Sequence, residues 1–160
     1  DSKRNGPGLK PEGTTEIVTN EQLVALIRAG ENEADNMLKQ WNRNKGFVFK
    51  TAKNYSGYAE MDDLMQEGYL GLCEAVRYYD AEKGVPFINY AALWIRQVMQ
   101  RYIDNTGNVV RIPVYLGDLV KRYKKLKNEY FKYYGMKPTD REISAFLGVS
   151  EEKLEEESKK

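Results

Sequence analysis

Residues 83–105 read KGVPFINYAALWIRQVMQRYIDN, and this stretch predicts a helix with two stripes of side chains at about 100° per residue. The first stripe is a broad arc without charge, typical of a buried helix: Ile88, Ala91, Ala92, Ile95, Val98, Met99, Tyr102 and Ile103. The second stripe begins with aromatic rings and ends in amide and guanidinium groups: Phe87, Tyr90, Trp94, Gln97 and Arg101. One stripe is thus assigned to a core, and the other needs a partner.

The second stripe has two interpretations. Rings that grade into Gln and Arg suit a ligand with flat apolar rings, hydrogen-bonding edges and phosphates. Such a ligand is nucleic acid with partly exposed bases. Aromatic stripes on helices are nevertheless usually packing, so Tyr90 and Trp94 can also extend an ordinary core. Periodicity alone leaves both interpretations open.

Charge is distributed in blocks, although the formal net charge of the 160 residues is only +1. Residues 60–82 carry seven acidic and one basic side chain, whereas residues 83–137 carry eleven basic and three acidic ones. Residues 139–160 carry seven acidic and four basic ones. Adjacent acidic and basic blocks indicate two different partners on neighbouring surfaces, although solvated charged faces produce the same pattern.

The composition argues against several classes of protein. Cys73 is the single cysteine and histidine is absent, which excludes an internal disulfide and a Cys-rich zinc site and disfavours most hydrolytic mechanisms. No nucleophile, base and orienting group is recognisable. No apolar run approaches the ~18–20 residues of a membrane span. We therefore expect a cytoplasmic protein that is not an enzyme, uses no cofactor or metal, and has no membrane partner.

The whole chain predicts an all-α fold without a convincing strand or repeat. Residues 1–18 are rich in Gly, Pro and charge and predict a disordered lead. Residues 19–108 predict a compact helical bundle. Residues 109–160 predict a basic helix followed by a small helix-turn-helix-like pair.

Local signals predict where the helices begin and how they pack. Capping boxes are predicted at Thr19 with Gln22 and at Thr139 with Glu142. Apolar edges predict separate helices near residues 34–41 and 47–55, and then a helix over residues 64–79 with Asp62 as its N-cap. Gly68 and Gly71 inside that helix cost about 1 kcal/mol each relative to Ala. We therefore expect another backbone to approach them closely.

Several stretches resemble one family. Residues 63–103, DLMQEGYLGLCEAVRYYDAEKGVPFINYAALWIRQVMQRYI, resemble the most characteristic part of housekeeping-type sigma factors, the promoter-recognition subunits of bacterial RNA polymerase. VRIPV, residues 110–114, matches the segment that follows it in that family. Residues 19–55 are similar to the helices before it, and residues 138–156 to the opening of the next domain. Because the domain that reads the minus-thirty-five element is missing, we expect a truncated piece of a longer protein.

The resemblance implies a polymerase-docking surface on the helix that begins near Asp63. The matching residues are Asp63, Gln66, Glu67, Tyr69 and Cys73, and the partner is a coiled coil of the largest subunit of core RNA polymerase. An acidic helix start suits such a partner because electrostatics set orientation and association rate. In the simpler interpretation Asp63 is a cap and Glu67 is solvated.

The resemblance also implies that the second stripe melts the promoter minus-ten element. A flipped adenine of the non-template strand would stack on Tyr90, with Phe87 beside it, and Trp94 would replace the stacking of the last closed base pair. Flipping costs a few kcal/mol. Stacking on aromatic rings returns ~1–3 kcal/mol per base, so two or three contacts can hold a bubble open.

Other residues match further DNA contacts of the family. Gln97 and Gln100 would read the duplex edge, since Gln pairs bidentately with adenine. Arg96, Arg101 and Arg111 would hold phosphates.

Two more pairs of residues match base-reading positions less closely. Asn44 and Phe47 fall where the family has a pocket for a flipped thymine, although the alignment there needs a one-residue gap. Tyr115 and Asp118 stand where the family usually has His and Glu.

Some residues depart from the family pattern. Leu93 stands in place of a second tryptophan and Val85 in place of a frequent aromatic residue, so we expect weaker melting and an accessory sigma factor. The last helix carries five glutamates between residues 151 and 157, which a phosphate-lined groove would repel. We therefore reject it as a major-groove reader.

The favoured function is a sigma factor that docks on core RNA polymerase and melts the minus-ten element of promoter DNA. The alternative is a sigma-like interaction module that binds polymerase without opening DNA. An anti-sigma factor is a further candidate partner. The favoured function requires that Tyr90 and Trp94 be open to unpaired bases.

Overall fold

The structure, a computed structural model, describes residues 18–106 and 116–158, and it is helical throughout these two ranges apart from short connections. The helices are α1 (Asn20–Arg28), α2 (Glu33–Lys53), α3 (Met61–Tyr78), α4 (Phe87–Thr106), α5 (Leu116–Tyr134), α6 (Asp140–Leu147) and α7 (Glu151–Ser158). A 3-10 turn, Ala81–Lys83, precedes α4. The predicted all-α fold is confirmed for the described residues. None of these helices is long and apolar enough to cross a membrane.

Both predicted capping boxes are present. At the start of α1, the Thr19 hydroxyl accepts from the Gln22 backbone N–H at 3.1 Å, and the Gln22 side chain accepts from the Thr19 N–H at 2.8 Å. Thr139 and Glu142 make the same exchange at the start of α6, at 3.1 and 3.0 Å. Each box satisfies N–H groups that a helix start otherwise leaves without partners.

Two predicted boundaries are wrong. The two helices expected over residues 34–55 are one helix, α2, because burial of Val48 and Ala52 in its second half outweighs the cost of a glycine inside it. The N-cap of α3 is Glu60, which makes no side-chain capping bond. Asp62 lies instead in the first turn, where a carboxylate still favours the positive end of the helix dipole.

Glycines allow α3 to lie against its neighbours. A Cβ on Gly68 would stand 2.3 Å from Cγ1 of Val48 on α2. A Cβ on Gly71 would stand 3.2 Å from Cα of Ile95 on α4. The expected close approach of another backbone is confirmed at Gly71, where α4 lies against α3, but not at Gly68, whose neighbours are side-chain atoms of Val48 and Met99.

Helix α4 is covered on two sides. Its first stripe packs against α3, with Ala91, Ile95 and Val98 buried. On the other side α6 packs on α4, and α5 and α7 pack in turn on α6. The described part of the second predicted domain therefore lies against the helix that bears the second stripe.

Candidate functional site

The rings of the second stripe are inside the protein. Phe87 and Trp94 are 0% exposed and Tyr90 is 3% exposed. The expectation that Tyr90 and Trp94 are open to unpaired bases is therefore wrong for this structure. The physical reason is that neighbouring helices supply ring and polar partners of their own.

Aromatic partners enclose the rings of Trp94 and Phe87. Trp94 lies between the ring of Phe146 on α6, with centroids 3.8 Å apart at 25°, and the ring of Tyr78, with centroids 5.4 Å apart at 12°. Phe87 meets the edge of Tyr79 at 5.2 Å and 89°. The stacking capacity of Trp94 is thus used by Phe146 and Tyr78.

A buried carboxylate holds the hydroxyl of Tyr90. Glu142 on α6 is 4% exposed and accepts from the Tyr90 hydroxyl at 2.6 Å. It also accepts from the hydroxyl of Tyr130 on α5 at 3.0 Å. Burial, and then the charge of Glu142, holds the pKa values of Tyr90 and Tyr130 far above their usual range. One carboxylate therefore ties α4, α5 and α6 together.

The polar end of the second stripe is also engaged. Gln97 donates to Glu129 on α5 at 3.3 Å. Arg101 donates to the backbone carbonyls of Ala145 and Phe146 at 2.9 and 3.0 Å, at the carboxyl end of α6, where a cation is favoured by the helix dipole. Burial lowers the pKa of Arg101, while the charges of Glu67 and Glu74 on α3 raise it.

The neighbouring cations and amides are more accessible. Arg96 is half-buried with its guanidinium 5.6 Å from the ring centre of Tyr133. Gln100 is exposed and donates to Asp104 at 3.0 Å. Arg111 and Tyr115 lie outside the described residues, as does the side chain of Asp118, whose backbone lies in the first turn of α5.

The predicted thymine pocket is split. Asn44 is 4% exposed and donates to the Asn20 side chain at 3.1 Å and to the Gln40 carbonyl at 2.8 Å. Phe47, one turn later, is half-buried and borders an open cleft of about 460 Å³. The cleft is lined by Gly46, Phe47, Phe49, Lys50 and Lys53. The structure therefore brings Phe47, but not Asn44, to a site that a ligand can enter.

The five predicted polymerase-docking residues share the accessible side of α3. Gln66 and Tyr69 are exposed, and Asp63, Glu67 and Cys73 are half-buried. We call these five residues the docking side. The opposite side of α3 is buried and includes Leu64, Gly68, Leu72 and Ala75.

A cleft of about 670 Å³ borders the docking side. It is lined by Ile27, Arg28, Glu33, Ala34, Met37, Tyr69, Cys73, Val76 and Arg77. The ring of Tyr69 meets Trp41 of α2 edge-on, with centroids 5.4 Å apart. Burial raises the pKa of the Cys73 thiol, so this group is a poor nucleophile and suits packing rather than catalysis.

Three residues of the site escaped prediction. Glu142 was predicted only as a capping-box residue, and no role at this site was predicted for Phe146 or for the hydroxyl of Tyr130. A signal for the network was present, since the inward side of α5 carries tyrosines, and buried hydroxyls require a polar partner. The described residues contain no group of three or more His, Cys, Asp or Glu positioned to hold a metal ion.

Comparison with known proteins shows which family the part of the chain that contains α3 and α4 resembles. Residues 41–108 match the family model described as Sigma-70 region 2. The chain contains a sigma-70 region 2 domain. Region 2 here begins inside α2 and runs past the end of α4. The resemblance inferred from the sequence is confirmed.

Curated relatives extend the likeness beyond region 2. The chain is 36% identical over 138 residues to the RNA polymerase principal sigma factor HrdD of Streptomyces viridifaciens, covering 85% of this chain and 40% of the relative. It is 33% identical over 152 residues to the RNA polymerase sigma factor SigA of Listeria monocytogenes, covering 92% of this chain and 40% of the relative. The chain thus spans about two fifths of the length of these relatives.

Proposed function

We propose that this chain is the part of a sigma factor that docks on core RNA polymerase and recognises and melts the promoter minus-ten element. The observation that carries the proposal is the region 2 match, which includes the whole docking side and the whole second stripe. Similarity to principal sigma factors over more than four fifths of the chain supports the same assignment.

Docking on polymerase is the step that the geometry favours most directly. Gln66 and Tyr69 of the docking side are exposed and its other three residues are half-buried, so a partner can contact this side of α3 in the structure as it stands. Carboxylates at the start of α3 give this side its charge, and Leu70 beside them is 52% exposed. Acidic groups around an exposed apolar side chain suit a protein partner with basic residues around an apolar centre.

A charge reversal tests the docking step. Glu67→Lys should weaken capture of the chain by core RNA polymerase at least tenfold, because it places a cation on the docking side. Glu151→Lys makes the same change at an exposed position on α7 and should leave capture unchanged. Affinity is measured by pull-down and by fluorescence titration against core polymerase. Equal affinities of the two variants would exclude this side of α3 as the interface.

The minus-ten function rests on the chemistry of the second stripe. Tyr90 and Trp94 offer rings of the size that stack on bases, followed at helical spacing by Gln97 and Arg101. All four side chains contact α5 or α6 directly. DNA binding therefore requires these two helices to move away from α4. We therefore assign base capture to a state in which α6 has left α4.

A test of base capture uses the chain bound to core polymerase. A single-stranded TATAAT oligonucleotide should bind more tightly than one lacking the adenine at the second position, measured by fluorescence anisotropy. Tyr90→Ala should abolish this difference, because the stacking platform for the flipped base is gone. Equal binding of both oligonucleotides by the parent chain would contradict base flipping.

A second candidate function is favoured by the burial of the rings. A sigma-like module that binds polymerase without opening DNA would have no need of an accessible Tyr90 or Trp94, and both are enclosed here. The two functions differ in one result. The interaction module would pass the docking test and show no preference for TATAAT when bound to polymerase.

A further inference from the structure

Charge changes sign along the accessible side of α3. Asp63 and Glu67 lie in its first two turns, and exposed Arg77 lies in its last turn. At about 100° and 1.5 Å per residue, these three positions share an arc of about 80°, and Arg77 stands about 21 Å along the axis from Asp63. Glu74 lies between them and is half-buried, so the exposed charge of the last turn is that of Arg77. A partner that runs along α3 therefore meets carboxylates first and a cation last.

The cleft that borders the docking side has an apolar floor and cations at its edge. Three helices supply the floor: Ile27 of α1, Met37 of α2 and Val76 of α3. Arg28 and Arg77 line the cleft from the ends of α1 and α3, and Glu33 adds one carboxylate from α2. Arg28 is exposed and donates to the Tyr79 carbonyl, which holds it across the end of α3. A ligand that fits here combines an apolar side chain with a carboxylate, because guanidinium groups bind carboxylates through two parallel hydrogen bonds.

Exposed apolar side chains connect the cleft to the docking side. Tyr69 and Cys73 belong to the docking side and also line the cleft. Leu70, next to Tyr69, is 52% exposed, and Leu38 on α2 is 56% exposed. The ring of Tyr69 meets Trp41, which lies one turn after Leu38. Exposed apolar side chains that cluster in this way mark an interaction site, so the cleft and the docking side form one surface.

We infer that a helix of core RNA polymerase lies along this whole surface in one orientation. Its cations meet Asp63 and Glu67, its apolar side chains enter the cleft, and its carboxylates pair with the two arginines of the cleft. Complementary charges at both ends fix the register of two partners, and apolar anchors at helical spacing fill the groove between them. The inference rests on the proposed function, since it concerns docking. It extends the interface to α1 and the start of α2, which lie outside the region 2 match at residues 41–108.

A charge reversal at Arg77 tests the pairing at the far end of the surface. Arg77→Glu should weaken binding to core RNA polymerase at least about tenfold, since two carboxylates then face each other, and Arg77→Gln should weaken it about threefold. Lys124→Glu makes the same change in charge as Arg77→Glu at an exposed position on α5 and should leave the affinity unchanged. Affinity is measured by fluorescence titration of the full chain. Equal affinities of Arg77→Glu and Lys124→Glu would overturn the inference.

A double variant separates ordered charges from attraction by net charge. Glu67→Lys with Arg77→Glu keeps the net charge of the parent chain and reverses the order of charges along α3. If the partner lies in one orientation, the double variant should bind more weakly than either single variant. Recovery of affinity toward that of the parent chain would show that only net charge matters and would overturn the assigned orientation.

Filling the cleft tests whether the partner enters it. Ala34 is exposed and lines the cleft, so Ala34→Trp places an indole there without removing a buried contact. It should weaken binding to core polymerase at least about tenfold, because the apolar floor is no longer available. The matched control is Ala25→Trp, which makes the same change at an exposed position of α1 and should keep the parent affinity. Thermal melts followed by circular dichroism confirm that the variants are folded.

The outcomes separate the inference from the function on which it depends. Weak binding of Glu67→Lys with parent-like binding of Arg77→Glu and Ala34→Trp would overturn the inference and leave docking standing. Parent-like binding of all three variants would overturn docking on this side of α3 as well. Sedimentation equilibrium tests the remaining occupant, a second copy of this chain. If Ala34→Trp turned a dimer into a monomer and kept the parent affinity for polymerase, the cleft would belong to that second copy and the inference would be wrong.

Discussion

Gly68 in α3 and Gly46 in α2 both lie inside helices, but only Gly68 is closely surrounded by other atoms. A Cβ at Gly68 would meet Val48 Cγ1 at 2.3 Å and Met99 Cε at 3.0 Å, whereas a Cβ at Gly46 has nothing within 4 Å. We expect Gly68→Ala to lower the free energy of unfolding by about 1–3 kcal/mol through overpacking. Gly46→Ala inside α2 should raise it by about 0.5–1 kcal/mol, since alanine loses less entropy in a helix. Urea denaturation followed by circular dichroism measures both, and effects of the same sign would contradict the packing described here.

Buried tyrosines at the α4–α5–α6 junction make stability depend on alkaline pH. Burial raises the pKa values of Tyr90, Tyr130 and Tyr134 above the ordinary 10.0. Below pH 10 both the folded and the unfolded chain keep these protons, so the stability that they contribute is fully present. Above pH 10 only the unfolded chain releases the tyrosine protons. The free energy of unfolding therefore falls by about 1.4 kcal/mol per pH unit for each tyrosine.

The corresponding measurement is the urea midpoint between pH 9 and 12. In Tyr90→Phe the urea midpoint should fall less steeply with pH than in the parent chain, because one tyrosine with a raised pKa has been replaced. Tyr58→Phe, at a position 68% exposed, serves as the control and should leave the pH dependence of the urea midpoint unchanged. Identical slopes for Tyr90→Phe and the parent chain would show that Tyr90 ionises freely in the folded state.

At the scale of helices, periodicity predicted α4 and its two stripes but not the partner of the second. The hydrogen bond from Tyr90 to Glu142 joins residues 52 positions apart. Local patterns carry no information on such a pairing, and the same aromatic spacing serves DNA or a protein core equally well. The capping boxes were predictable because their partners are three residues apart. The continuity of α2 was not, since burial of Val48 and Ala52 overrode its weak local pattern.

Helix α6 depends on its cap for its position as well as for its length. In Thr139→Ala the Glu142 N–H loses its acceptor, and the Glu142 side chain loses one of its donors, the Thr139 hydroxyl at 3.2 Å. Loss of a Thr cap costs about 1 kcal/mol. We expect faster hydrogen exchange in α6 and at the indole of Trp94, with exchange in α3 unchanged. Thr19→Ala removes the equivalent cap of α1 and should accelerate exchange in α1 alone.

Opposite charges lie on different surfaces of the whole molecule. The acidic side chains of α3 are on its accessible side, whereas Lys121, Lys124 and Lys125 are exposed on α5. If the charges of the docking side steer the approach to polymerase, added salt should slow association. Salt screens the electrostatic attraction, with a Debye length of about 10 Å at 0.1 M. We expect the association rate constant to fall about tenfold between 0.05 and 0.5 M NaCl, measured by stopped flow. Glu67→Lys should associate slowly at low salt and show a weaker salt dependence, and an unchanged dependence would contradict steering by this side.

Enclosure of α4 from two directions also limits how its sequence can vary. Nine of its side chains are buried, and the exposed ones before its last two residues, Asn89, Gln100 and Asp104, lie along one narrow strip with half-buried Arg96. In a saturation library of α4 selected only for soluble expression, replacements should therefore be tolerated along that strip and depleted on the other faces of the helix. Any variant that gains a new DNA specificity through Tyr90 or Trp94 would have to remain compatible with two neighbours at once, so such changes should arise together with substitutions in α6.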